Sequence, residues 1–169
     1  ILGLALPFRE VMTLGSANGA VVSALVLATL VSGLILLKLL RTDDVSGKLL
    51  ATGTAVCGGT AVATLAPVIK AENQQVAQTL TIIFVLNGIA IVLFPAIGHG
   101  LDLSQQQFGM WAAVAIHDTS SVVGAAAAYG DEALTTAATL KILRILWLIP
   151  VIIVAGYSMK RISANPIRI

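Results

Sequence analysis

Four ionisable side chains lie deep within otherwise apolar stretches of this sequence, His117 and Asp118 in one stretch and Lys141 and Arg144 in another. An Asp, Lys or Arg at the centre of a membrane-spanning helix costs about 2.5–3.5 kcal/mol on insertion scales. Such residues normally face a bundle interior or a watery cavity and find partners there. Because Lys141 and Arg144 are three residues apart, they share one face of a helix. We expect Asp118 to be their counter-ion.

Two hypotheses fit these four residues. In the first, they form a structural ion pair that holds two helices together, with Lys141 extending outward along its helix. In the second, two cations against one carboxylate leave an excess of positive charge that suits a permeating anion. Arg144 would then bind an oxyanion through its planar guanidinium, while His117 and Asp118 would balance charge or relay protons.

A glycine-rich segment between Thr52 and Thr60 carries two adjacent glycines, Gly58 and Gly59. Each costs about 1 kcal/mol relative to Ala inside a helix. The glycines either allow close helix packing or break the helix and expose N–H groups to a ligand. Paired broken helices are typical of secondary-transporter sites, and polar residues at 117–121 predict a second break. The candidate substrate-binding residues are Thr52, Thr54, Cys57, Gly58, Gly59, Thr60, His117, Asp118, Thr119, Ser120, Lys141 and Arg144.

The composition indicates a membrane protein. Of the 169 residues, 57% are hydrophobic and 11% are charged, and the mean hydropathy is +0.96. A soluble domain carries roughly 25% charged residues. We therefore predict an all-α polytopic bundle with about five spans, two of them interrupted, preceded by a helix end and loop over residues 1–18. The spans are 19–40, 49–69 (interrupted), 76–98, 108–129 (interrupted, with Ser104 as N-cap of its helix) and 133–157.

The distribution of Lys and Arg predicts an orientation. If all five segments cross, one side holds six basic residues and the other only Arg9 and Lys70. The positive-inside rule then places the 38–48 loop and the C-terminal tail in the cytoplasm. The six residues are Lys38, Arg41, Lys48, Lys160, Arg161 and Arg168. The segment 49–69 either crosses or re-enters the membrane, and a re-entrant hairpin there would change this count.

Several classes of protein are disfavoured. The net charge of +2, without a basic run and interleaved aromatics, argues against nucleic-acid binding. No P-loop, HExxH, GxSxG or dinucleotide fingerprint occurs, so we expect no enzyme activity, no catalytic residue and no cofactor. Cys57 is the one cysteine, and as a lone thiol it is best interpreted as a small buried residue rather than a nucleophile or metal ligand.

The motifs around Cys57 and His117 together resemble those of the YeiH family, bacterial inner-membrane proteins also described as candidate sulfate exporters. The similarity includes Gly53-Thr54-Ala55-Val56-Cys57-Gly58-Gly59-Thr60, Ala66-Pro67, Phe94-Pro95, Trp111, Ile116-His117-Asp118-Thr119, Tyr129-Gly130, Lys141, Arg144 and Pro150. The resemblance implies a multi-pass inner-membrane protein with inverted repeats, similar to bile-acid symporters and sodium–proton antiporters. Family members are about twice this length, so residues 1–169 are expected to form one transmembrane domain that is a central portion of a longer transporter.

The function favoured by these observations is a secondary active transporter that exports a small inorganic or organosulfur anion such as sulfate. Its partners would be that anion, the lipid bilayer and a coupling ion, either a proton or sodium, with a homo-oligomer left open. A passive anion channel and a non-transporting membrane scaffold are the alternatives, because polar rings also build pores and buried charges also specify helix pairing.

Overall fold

The computed structural model describes the backbone of residues 8–40 and 45–164 and the side chains of residues 18–40 and 45–158. Within these ranges every regular element is a helix, which confirms the predicted helical membrane bundle. The helices are α1 (Phe8–Leu39), α2 (Val45–Ala55), α3 (Gly59–Val68), α4 (Asn73–Gly100), α5 (Gln105–Ala115), α6 (Thr119–Tyr129), α7 (Asp131–Leu146) and α8 (Leu148–Ala164).

The second interrupted segment folds back on itself. The ring of Phe108, at the start of α5, stacks on the ring of Tyr129, at the end of α6, with centroids 3.8 Å apart. The Tyr129 hydroxyl donates to the Leu103 carbonyl at 2.7 Å, and the Glu132 backbone N–H donates to Gln105 Oε1 at 3.0 Å. The two ends of the α5–α6 unit therefore lie side by side, and we call this unit hairpin 2.

The first interrupted segment, α2–α3, also reverses direction. A Cβ placed on Gly53 would lie 3.0 Å from Val62 Cγ2, although nine residues of continuous helix would separate these positions by about 13 Å. At the open end, Lys48 and Ile69 line the same groove. We call the α2–α3 unit hairpin 1.

The two hairpins open at opposite ends of the bundle. Hairpin 1 opens beside the start of α4, where Ser46 and Gln74 line one groove. Hairpin 2 opens beside the end of α4, where the His99 ring stacks on Tyr129 with centroids 4.2 Å apart. Because α4 runs the length of the bundle, the hairpins enter from opposite sides and point toward each other.

Of the two alternatives for 49–69, crossing or re-entry, the structure has re-entry. The segment 108–129, which we expected to cross, also reverses, and both interruptions are where we expect them. Within the described ranges, three segments are long and apolar enough to cross a membrane: Asn18–Leu39, Asn73–Gly100 and Asp131–Ser158. The last comprises α7 and α8, which meet at Trp147. The hairpin arms are only 10 or 11 residues long, too short to span a bilayer that needs about 20.

Two predictions at helix starts have different outcomes. The N-cap at Ser104 is confirmed, because its side chain accepts a hydrogen bond from the Gln107 N–H at 3.2 Å. The loop predicted over residues 1–18 is wrong from Phe8 onward, where α1 is already helical, and its first seven residues lie outside the described ranges. One glycine at position 15 costs only about 1 kcal/mol in a long apolar helix and does not stop it.

The reversal of hairpin 1 also changes the charge count. Lys70 follows α3 and therefore lies at the end of the bundle that carries Lys38 and Lys48, not at the opposite end as predicted for five crossings. The acidic residues Asp102 and Asp131 lie at the other end, beside the opening of hairpin 2. The corrected topology increases the asymmetry on which the positive-inside rule depends.

Close packing at the opening of hairpin 2 depends on Gly98. A Cβ there would lie 2.6 Å from Phe108 Cδ2 and 2.9 Å from Tyr129 Cε2, closer than carbon atoms approach. We predict that Gly98→Ala destabilises the protein by about 1–3 kcal/mol, the usual cost of overpacking, measured as a lower melting temperature in detergent. Gly100→Ala in the same helix is the control, because no atom lies within 4 Å of a Cβ there. Equal melting temperatures for both variants would contradict this packing.

Candidate functional site

The tips of the two hairpins touch each other. The tip of hairpin 1 is Val56–Cys57–Gly58, and that of hairpin 2 is Ile116–His117–Asp118. A Cβ at Gly58 would lie 3.2 Å from both the backbone nitrogen and the Cα of Asp118. Gly58 is the N-cap of α3 and Asp118 is the N-cap of α6, so the N-termini of the two returning arms converge at one point.

Arg144 joins the C-termini of the two entering arms. One guanidinium nitrogen, Nη1, donates to the carbonyls of Ala113 and Val114 at 2.9 and 2.7 Å. The other, Nη2, donates to the carbonyls of Thr54 and Ala55 at 2.9 and 2.8 Å. Carbonyls at a helix C-terminus have no intrahelical donor and carry about half a negative charge. One side chain, 4% exposed, thus satisfies four of them.

Lys141 makes the corresponding contacts at the tip of hairpin 2. Its ammonium donates to the carbonyls of Ile116 and His117 at 2.9 and 2.5 Å, and the side chain is completely buried. The predicted ion pair with Asp118 is wrong: in the described part of the chain no ion pair joins this carboxylate to Lys141 or Arg144. Asp118 instead caps α6, accepting from the Ser121 N–H at 3.2 Å and its hydroxyl at 3.3 Å.

The convergent N-termini retain unused hydrogen-bond donors. The first helical bonds after the tips are Val62 N–H to Gly58 and Val122 N–H to Asp118, so the N–H groups before them have no helical partner. Among the described residues, four of these N–H groups have no hydrogen bond. The hydroxyls of Thr119 and Ser120 have none either. The four N–H groups belong to Gly59, Thr60, Thr119 and Ser120, of which Thr60 and Ser120 are exposed.

Helix α4 supplies a further donor at this level. Asn87, in the middle of α4, accepts from the His117 N–H through its Oδ1 at 3.1 Å. Its Nδ2 is buried without a partner, and so is His117 Nδ1. Asn87 is 2% exposed, so the unpaired amide lies beside the tips at the mid-level of a full-length span. Phe84 stands next to Gly59, where a Cβ would lie 3.2 Å from its Cζ.

The remaining candidate residues lie at different places. Cys57 is at the tip of hairpin 1 and 1% exposed, which agrees with its interpretation as a small buried residue. The Thr54 hydroxyl donates to the carbonyls of Leu50 and Ala51 within its own helix. Thr52 is buried on α2 and lines a groove with Lys48, away from the N-termini. The structure therefore gathers Gly58, Gly59, Thr60 and residues 117–120 but leaves Thr52 outside.

Two opposed re-entrant hairpins, joined by buried cations within three apolar spans, define a polytopic α-helical membrane protein with broken helices at mid-depth. The chain belongs to the family described as conserved hypothetical protein 698, whose model matches residues 1–167.

Relatives named as membrane proteins confirm the resemblance to the YeiH family. A UPF0324 membrane protein of Vibrio parahaemolyticus is 46% identical over 160 residues, covering 95% of this chain and 52% of the relative. One of Shewanella oneidensis is 48% identical over 155 residues, covering 92% and 49%. One of Bacteroides thetaiotaomicron is 50% identical over 123 residues, covering 73% and 37%. The chain spans about half the length of the first of these relatives, and no solved structure matches it.

Proposed function

We propose that the protein is a secondary active transporter in the bacterial inner membrane that exports a small inorganic or organosulfur anion, such as sulfate. The observation that supports this is the meeting of two hairpin tips whose N-terminal ends converge. A helix N-terminus carries about half a positive charge and binds anions through its free N–H groups. Irregular backbone at membrane depth is tolerated where it is buried or lines a cavity.

The chemistry of the tips supports an anion rather than a cation. The groups without partners are mostly donors: the N–H groups of Gly59, Thr60, Thr119 and Ser120, the hydroxyls of Thr119 and Ser120, the Asn87 amide and the Arg144 Nε–H. His117 Nδ1 is the one other buried ring or amide atom among the described side chains without a partner. The one carboxylate of the tips, on Asp118, accepts two hydrogen bonds from Ser121 through its Oδ2. In this proposal Lys141 and Arg144 do not contact the anion. They neutralise the negative C-terminal dipoles of the entering arms, which would otherwise repel it.

Transport is tested by reconstituting the complete gene product in liposomes and measuring the uptake of radiolabelled sulfate, sulfite and taurine. Saturable flux driven by an imposed ion gradient supports a secondary transporter. Unsaturated conductance supports a passive channel, and the absence of both supports a scaffold. Binding is followed independently through the melting temperature, since a ligand that binds only the folded state stabilises it by about 2.7 kcal/mol at 100 times its Kd.

Thr119 allows one backbone donor to be removed without breaking α6. It is the first helical residue, where Pro is tolerated, and the preceding Asp118 has φ −82° and ψ 141°, which suits a residue before Pro. We predict that Thr119→Pro raises the Kd for the transported anion about tenfold or more, because a hydrogen bond to a charged group contributes about 1.5–3 kcal/mol.

Thr119→Val is the matched control, because it removes the hydroxyl and retains the N–H. A smaller loss of affinity in Thr119→Val than in Thr119→Pro assigns the contact to the backbone. If Thr119→Pro folds with an unchanged melting temperature and binds the anion as tightly as the unmodified protein, the anion does not bind at the N-terminus of α6.

A further inference from the structure

The charges around the hairpin tips depend on the protonation of Lys141. The two N-terminal and two C-terminal helix ends each carry about half a charge, and because they meet at one place they cancel. Among the described residues, the charged side chains that remain at the tips are Lys141, Arg144 and Asp118. With His117 neutral, the tips carry one net positive charge when Lys141 is protonated and none when it is not.

The hydrogen bonds of Lys141 permit it to lose a proton. The ammonium has three N–H donors and uses two of them, toward the carbonyls of Ile116 and His117. A neutral amine keeps two N–H donors, so both carbonyls would remain paired after deprotonation. Arg144 differs, since its four hydrogen bonds use a guanidinium that stays charged in proteins.

The titratable groups that face Lys141 come from three elements. Arg144 lies one turn along the same helix, Cys57 belongs to the tip of hairpin 1, and His117 and Asp118 belong to the tip of hairpin 2. Among the described side chains of α1 and α8, the titratable groups are Lys38 and Tyr157, both at the far end of the bundle. No carboxylate forms an ion pair with Lys141 within the described ranges. Its ammonium contacts the carbonyls of Ile116 and His117, which leaves room for an anion to balance its charge.

An anion fits the N-terminal ends of the two returning arms, where the donors without partners lie. The free N–H groups of Thr119 and Ser120 converge there, and the buried amide of Asn87 has no partner although its other atom is bonded to the tip. A buried donor without an acceptor costs about 1–3 kcal/mol, and an anion at the tips would supply the acceptor.

We propose that one proton on Lys141 accompanies one negative charge at the hairpin tips, so that the protein couples a monovalent oxyanion to a proton. This inference rests on the proposed function. Only two states carry no net charge: empty tips with a neutral amine, and tips loaded with a monovalent anion beside the ammonium. Uncompensated charge away from water is unfavourable, so these two states dominate. The proton comes from bulk water and returns to it, and no other group changes its charge.

The test compares methanesulfonate with sulfate, because the two are close in shape and differ by one charge. Binding to the purified complete gene product is followed by calorimetry between pH 6 and pH 9 in two buffers of different ionisation enthalpy. We expect methanesulfonate to bind more tightly than sulfate, with about one proton taken up per anion at alkaline pH. By linkage, its Kd then rises about tenfold per pH unit on the alkaline side.

Three substitutions assign the proton. Lys141→Arg is permanently charged and should bind methanesulfonate without proton uptake and with a flat pH profile. Lys141→Gln keeps an NH₂ group with two donors but never carries a charge, so its Kd should be at least about tenfold higher, the effect of losing about 1.4 kcal/mol. Lys70→Gln changes an exposed lysine and should retain the slope of the unmodified protein.

The outcomes separate this inference from the proposed function. A flat pH profile in the unmodified protein, or tighter binding of sulfate, overturns the coupling and leaves the anion site standing. A slope that survives in Lys141→Arg but disappears in His117→Asn overturns the assignment to Lys141. If neither anion binds, nor sulfite, taurine or chloride, the proposed function fails and the coupling fails with it.

Discussion

Replacing Arg144 with Met is expected to remove most of the folded protein from the membrane. The side chain is 4% exposed and donates to four carbonyls at the ends of α2 and α5. The bonds to Ala113 and Ala55 are buried and those to Val114 and Thr54 are part-buried. Each buried acceptor left without a donor costs about 1–3 kcal/mol, so the two buried carbonyls alone lose about 2–6 kcal/mol. That is a large fraction of the 5–15 kcal/mol of a typical native state. The measurement is the amount of monodisperse protein after detergent extraction, with its melting temperature.

Arg144→Lys separates the charge of this residue from its shape. An ammonium keeps the positive charge but cannot reach two pairs of carbonyls as a planar fork does, so we expect an intermediate loss of stability. Lys70→Met, at an exposed position, controls for the loss of a positive charge and should leave the melting temperature nearly unchanged. If Arg144→Met were as stable as Lys70→Met, the carbonyls would have other donors and the tips would not depend on Arg144.

Substitution of Gly58 by Ala is expected to impair transport more than expression. Gly58 has φ +64° and ψ −121°, a conformation that favours Gly and costs a residue with a Cβ about 1–3 kcal/mol. The new Cβ would also lie 3.2 Å from the backbone nitrogen of Asp118, so the two tips must move apart by a few tenths of an ångström. Because the anion is proposed to bind where the tips meet, we predict at least a tenfold loss of anion uptake in liposomes, with most of the protein still extracted as a folded species.

Gly124→Ala provides the comparison for this variant. Gly124 lies in α6, and no atom is within 4 Å of a Cβ at this position. Ala is favoured over Gly inside a helix by about 1 kcal/mol, so this variant should be slightly more stable and fully active. Equal transport by Gly58→Ala and Gly124→Ala would show that close contact between the tips is not required.

The sequence predicts the interruptions well because each has a local cause. Adjacent glycines at 58 and 59 and the polar residues around Asp118 weaken the helix at the points where the structure breaks it. It leaves crossing and re-entry open for 49–69 and does not predict the reversal of 108–129, because a broken crossing and a hairpin share the same apolar pattern. The lengths of 49–69 and 108–129 match a span, and it takes tertiary contacts such as that between Phe108 and Tyr129 to show that the ends of hairpin 2 meet.

The partners of the buried cations illustrate a second limit. The sequence suggests that Asp118 neutralises Lys141 and Arg144, because it is the one acidic residue deep within the apolar segments. Backbone carbonyls at the end of a broken helix are equally good acceptors. Because every residue has one, the sequence does not show which carbonyls will play this role. The sequence does contain one signal, an excess of positive charge. Two cations one turn apart accompany a single carboxylate, so part of their charge must be balanced by groups other than side chains.

The position of the two cations on α7 also has a consequence for how the chain enters the membrane. When this segment leaves the ribosome, Lys141 and Arg144 each add about 2.5–3.5 kcal/mol to its insertion free energy, and the hairpins precede it in the chain. Their arms are too short to remain in lipid alone, and their tip carbonyls lack donors until α7 arrives. Neither part is stable in the bilayer without the other, so we expect the hairpins to wait at the translocon and to be released together with α7 as one unit.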